Sequence, residues 1–66
     1  MQVQDIHVGK LYRLVDGYED RTPHRVVNVF FDEDWQEYCV QARAIDANKF
    51  SQAYSFLASD FKEAVQ

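Results

Sequence analysis

The chain has 66 residues, 47% hydrophobic and 15% aromatic, with eleven acids against seven bases for a net charge of −4. That length bounds it to a single domain, 1–66, whose core rarely supplies more than about 3–5 kcal/mol of net stability and which has little room for a deep catalytic pocket. No apolar run approaches the roughly 20 residues needed to cross a bilayer, the net field repels phosphate backbones, the lone Cys39 cannot close an intramolecular disulfide, and the opening Met1-Gln2-Val3-Gln4-Asp5 lacks the pattern of a secretory signal, so a reducing cytoplasm fits best.

Residues 1–7 alternate weakly and lead into Val8-Gly9-Lys10, where the glycine turns the chain into a first strand over 11–15. Its alternation puts Tyr12 and Leu14 inside and Arg13 in water. Asp16-Gly17 opens a long acidic loop, with about eight residues before the next strand, too many for a tight hairpin. Pro23 has no amide donor and cannot sit in a central ladder, which starts the second strand at His24 or Arg25.

The stretch 25–46 is an antiparallel hairpin. The β-branched and aromatic run 25–31 and the run 38–45 flank the acidic turn Asp32-Glu33-Asp34-Trp35-Gln36-Glu37. Strict alternation separates Val27, Val29 and Phe31 from Val26, Asn28 and Phe30, with Asn28, Gln41 and Arg43 on the wetter face.

The last third reads two ways. Phe50, Ala53, Tyr54, Leu57, Ala58, Phe61, Ala64 and Val65 fit a helical stripe that leaves out only Phe56. Against that, Ala53-Tyr54-Ser55-Phe56-Leu57 reads as a strand, and Asp60 with Glu63 three residues on has the spacing of a capping box. The preferred reading is a turn at 46–49, a fourth strand over 52–58 and a short helical turn over 60–65. The alternative is an α+β fold, a three-stranded antiparallel sheet packed by one C-terminal helix.

A glycine-led strand over 9–15, a long acidic loop, a hairpin, a short strand over 54–57 and the terminal turn Ser59-Asp60-Phe61 together resemble a small SH3-like antiparallel barrel, of the kind found in single-domain bacterial and phage proteins. Such barrels have about five short strands and a helical turn before the last of them. On the present reading the helical turn comes last, and a fifth strand has to come from 2–8. The Ala-Leu-Tyr-Asp-Tyr signature of peptide-binding members is absent, and Lys10-Leu11-Tyr12-Arg13-Leu14 only echoes it.

The turn around Trp35 is the most distinctive stretch. It reads either as a solvated hairpin tip or as an interaction tip, with Trp35 the apolar anchor and Asp32, Glu33, Asp34 and Glu37 a charged rim. Tyr18, Glu19 and Asp20 form a second acidic loop with Asp16. The carboxylates have neither the glycine nor the ligand spacing of a calcium loop, and His7, His24 and Cys39 have no zinc spacing, so no metal or cofactor is expected and both histidines read as surface residues. Cys39 reads as a small buried hydrophobe, and no serine has a nucleophile-elbow context.

The expected function is a non-catalytic protein-interaction module, an accessory or inhibitor of the kind small phage and mobile-element genes encode, acting through an acidic aromatic surface. Its expected partner is a protein with a basic surface, with a homo-oligomer also allowed. The alternative is a nucleic-acid-binding barrel that sets Tyr18 and Trp35 beside Arg21, Arg25 and Arg43, ranked lower because the bases are scattered.

Overall fold

A computed structural model describes residues 1–15, 22–45 and 52–65. Five strands form one antiparallel sheet: β1 (Leu11–Leu14), β2 (His24–Asp32), β3 (Glu37–Ala44), β4 (Ala53–Leu57) and β5 (Phe61–Val65). The order across the sheet is β4-β3-β2-β1-β5, a meander whose last strand folds back beside the first. No ladder joins β4 to β5, so hydrogen bonding leaves the sheet open rather than closed into a barrel.

The central hairpin falls where the β-branched and aromatic runs place it, and β2 begins directly after Pro23. Strict alternation fails within it. Val26 pairs with Ala42 but Asn28 pairs with Gln41, so Val27 is the extra residue of a β-bulge. The bulge sends Val26, 1% exposed, into the core and Val27, 37% exposed, outward, and it restores Val29 to the core side. Without the bulge Val26 and Val29 could not both point inward.

The described residues of the C-terminal third, 52–65, form two strands and a 3-10 turn, which removes the α+β alternative. The helical turn expected over 60–65 is corrected to a single 3-10 turn, Ala58–Asp60, followed by β5. Asp60 does not cap a helix running toward Glu63; its carboxylate reaches back and accepts the Leu57 amide at 2.9 Å. The fifth strand expected from 2–8 is likewise corrected: that segment holds a 3-10 turn, Val3–Asp5, and plugs the core with Ile6. Among the described residues there is no α-helix, and none that could cross a membrane. The turn expected at 46–49 lies outside the described residues.

The core consists of Ile6, Tyr12, Val26, Val40, Ala42 and Phe61, with Met1, Leu14, Val29, Phe56 and Ala58 packed against it. Tyr12 is fully buried and still satisfies its hydroxyl, which accepts the His7 amide at 2.7 Å and donates to the Asp5 carbonyl at 3.3 Å. Those two bonds hold the N-terminal segment on the sheet. Gly9, at φ +89°, makes the reversal into β1, and its amide donates to the Val26 carbonyl.

His24 is corrected from a surface residue to a core one. It is 6% exposed, its Nδ1–H donates to the Thr22 carbonyl at 2.9 Å, and its ring meets Phe56 edge to face. His7 is exposed, as expected. Phe61 sits where the ring contacts converge, touching both Tyr12 and Phe56. Phe61→Ala is expected to cost about 3–5 kcal/mol, the whole of what a core this small supplies, and so to abolish the cooperative thermal transition in circular dichroism. Phe31→Ala, whose ring is nearly half exposed, is expected to keep that transition and lose less than about 1.5 kcal/mol.

Candidate functional site

The β2–β3 connection has four turn residues, 33–36, closed by the facing pair Asp32 and Glu37. One Asp32 carboxylate oxygen accepts the amides of Asp34 at 2.9 Å and Trp35 at 3.1 Å, an Asx-type turn. Gln36 takes the left-handed conformation, φ 55°, that brings the chain back into β3, and its side-chain amide donates to the Glu33 carbonyl. Three hydrogen bonds therefore fix the turn from within. The indole it carries is 73% exposed.

Beneath Trp35 lies a groove of about 340 Å³ lined by Phe30, Asp32, Trp35, Cys39, Ser55, Phe56, Leu57 and Asp60. Its floor follows from strand register: Phe30 pairs with Cys39 and Cys39 with Leu57, so the three lie in a row across β2, β3 and β4. Leu57 also borders a second hollow of about 280 Å³, with Val3, Glu37, Tyr38, Ala58 and Ser59. Phe31 and Tyr38, both about half exposed, stack edge to face at 5.1 Å near the same end.

Of the expected site residues, Trp35 and Asp32 line the groove, Glu33 and Asp34 project from the turn, and Glu37 borders the second hollow. Tyr18, Glu19 and Asp20 lie outside the described residues. Phe30, Cys39, Leu57 and Asp60 were missed. The first three become neighbours only through pairing between strands, and Asp60 arrives by the 3-10 turn. The available signal was the hairpin register alone, which aligns Phe30 with Cys39 once the turn is counted as four residues.

The expected partner, a protein with a basic surface, is corrected here, and with it the self-association that accompanied it. The concave surface that Trp35 borders is lined mainly by apolar and aromatic side chains. The two carboxylates that do line it are engaged with the chain itself, Asp32 by the turn amides and Asp60 by the Leu57 amide. Of the alternative's ring-and-cation arrangement, Tyr18 and Arg21 lie outside the described residues; among the described ones Arg25 and Arg43 face each other across the hairpin, and seven residues of β2, roughly 23 Å, separate Arg25 from Asp32 at the Trp35 end. Arg25 also donates to the Gly9 carbonyl at 2.8 Å.

Cys39 is free and buried. Burial pushes its thiol above the ordinary value of 9.0, and the nearby carboxylates of Asp32 and Glu37 push in the same direction by disfavouring a thiolate. Among the described residues no group of three or more His, Cys, Asp or Glu side chains is placed to hold a metal ion.

Two outcomes are expected. Asp32→Ala, which removes the one acceptor of both turn amides, should cost about 0.5–2 kcal/mol in urea melts and speed the depolarisation of Trp35 fluorescence, while Asp32→Asn, which keeps a side-chain oxygen, should restore most of both. Because the folded state favours the protonated thiol, Cys39 should react with iodoacetamide more slowly than an unfolded control at mildly alkaline pH. By the same linkage its contribution to stability is intact below about pH 9 and lost as the pH rises through the raised value.

No protein-family model matches this chain, and no curated protein or solved structure matches it. What the site does is therefore read from its own geometry.

Proposed function

We propose that the chain is a non-catalytic protein-interaction module that seats a partner in the groove beside Trp35, and that its open five-stranded sheet has the SH3-like architecture without the closure of a barrel. The observation that carries the functional reading is the exposed indole on a turn fixed by its own hydrogen bonds. Exposing so much apolar surface gains nothing for folding, and a Trp carried beside an apolar hollow on a turn held by hydrogen bonds has the form of a binding hot spot, where little backbone entropy is left to lose on association.

Supporting the architectural reading are the meander order, the long connection between β1 and β2 and the 3-10 turn immediately before the last strand. A free, buried cysteine supports a reducing compartment such as the cytoplasm. An accessory or inhibitory role suits a chain that offers one compact surface.

The test separates folding from binding. Trp35→Ala should lower unfolding free energy by less than about 1.5 kcal/mol, against roughly 3–5 kcal/mol for a buried Trp. The same change should weaken retention of partners captured from the source cell's lysate by about 2 kcal/mol or more, roughly thirtyfold. Equal capture by the parent chain and the variant would sink the reading, as would a core-sized loss of stability.

A further inference from the structure

Among the described residues, strand β4 is an edge of the sheet with no strand beyond it. Its residues, Ala53, Tyr54, Ser55, Phe56 and Leu57, carry neither charge nor proline, and it lies at one end of the strand order. The opposite edge, β5, sets Lys62 and Glu63 along its length, a usual guard against pairing with another chain. An unguarded edge offers a row of backbone donors and acceptors to any extended segment that reaches it.

Which groups face outward follows from one hydrogen bond. The Leu57 amide donates to the Asp60 carboxylate and so is turned away from β3. Residues of an antiparallel ladder alternate between pairs that exchange backbone hydrogen bonds and pairs that do not. Ser55, opposite Gln41, and Ala53, opposite Arg43, therefore share the outward orientation of Leu57, while Tyr54, opposite Ala42, bonds to β3. Ala53 and Ser55 are both exposed. Their amides and carbonyls recur at about 6.6 Å, the two-residue repeat of an extended chain.

This edge borders the groove, since Ser55, Phe56 and Leu57 line it together with Trp35. We infer that β4 receives an extended, uncharged segment of another polypeptide by strand addition, and that alternate side chains of that segment fill the hollow beneath Trp35. The backbone row dictates an extended chain, and the lining of Phe30, Cys39, Leu57 and Trp35 dictates apolar side chains. A second copy of this chain is a poor occupant, because each copy carries a net charge of −4. The inference rests on the interaction-module reading and specifies how the partner is held.

Random linear peptides displayed on phage and selected against the immobilised chain supply the probe, and the selected peptides are then titrated calorimetrically. Ser55→Pro removes one outward amide and leaves the Tyr54 ladder in place, so it should keep the parent circular dichroism and weaken binding by about tenfold or more. In the complex with the unmodified chain, the amides of Ala53 and Ser55 should pass from fast to slow hydrogen exchange, a readout that decides the question even if Ser55→Pro fails to fold. Peptides that bind Ser55→Pro undiminished, or that leave those two amides exchanging freely, overturn strand addition. If such peptides still lose affinity for Trp35→Ala, the interaction module stands without it. Failure to enrich any peptide, or self-association of the chain as the only binding seen, also overturns the inference.

Discussion

Four rings in edge-to-face succession hold this sheet in shape. Tyr12 of β1 meets Phe61 of β5 at 5.9 Å, Phe61 meets Phe56 of β4 at 5.8 Å, and Phe56 meets His24 of β2 at 5.6 Å, all within fifteen degrees of perpendicular. Hydrogen bonds do not connect β4 to β5, so side chains have to bring the two edges of the meander over a common core. Such ring pairs contribute about 0.5–1.5 kcal/mol each beyond the area they bury, so three of them are comparable to the few kcal/mol that a domain of this size has in hand. The bulge at Val27 serves the same end by bending β2 and returning Val26 and Val29 to the interior.

A core this small cannot house all ten aromatic residues of the chain. Among the described residues Phe31, Trp35, Tyr38 and Tyr54 remain exposed, and three of these four cluster toward the β2–β3 end of the molecule. Trp35 differs from the others in having a turn built to hold it. The acids of that turn are best understood as its fasteners and rim: Asp32 binds two amides and thereby sets where the indole stands. Burial first, and the charges of Asp32 and Glu37 second, raise the Cys39 thiol above its ordinary value.

Much of this fold was legible because it is locally encoded. Pro23 marks the start of β2, the β-branched run marks its body, and Asp32 to Glu37 marks the turn, each a signal contained within a few residues. What was not legible depended on pairing. Nothing local identifies Val27 as a bulge, since Val26 and Val27 are chemically identical and only register decides which turns inward. His24 reads as polar until Phe56 and the Thr22 carbonyl surround it. The terminal residues 60–65 have apolar spacing compatible with a helical turn, and what makes them a strand is the free edge of β1, which β5 covers from Leu11 to Leu14. The groove was hidden for the same reason: Phe30, Cys39 and Leu57 are far apart in sequence and adjacent only across three strands.

The account stands on Trp35 being exposed and ordered at once, which the intrinsic fluorescence of this single tryptophan can report directly. Acrylamide quenching combined with time-resolved anisotropy on the folded chain measures both properties on the same indole. The expected result is quenching comparable to that of the urea-unfolded chain together with depolarisation at the tumbling rate of the whole domain. Strong protection from acrylamide would place the indole in the core, and fast local depolarisation would leave it a loose side chain on a solvated loop; either result contradicts the account.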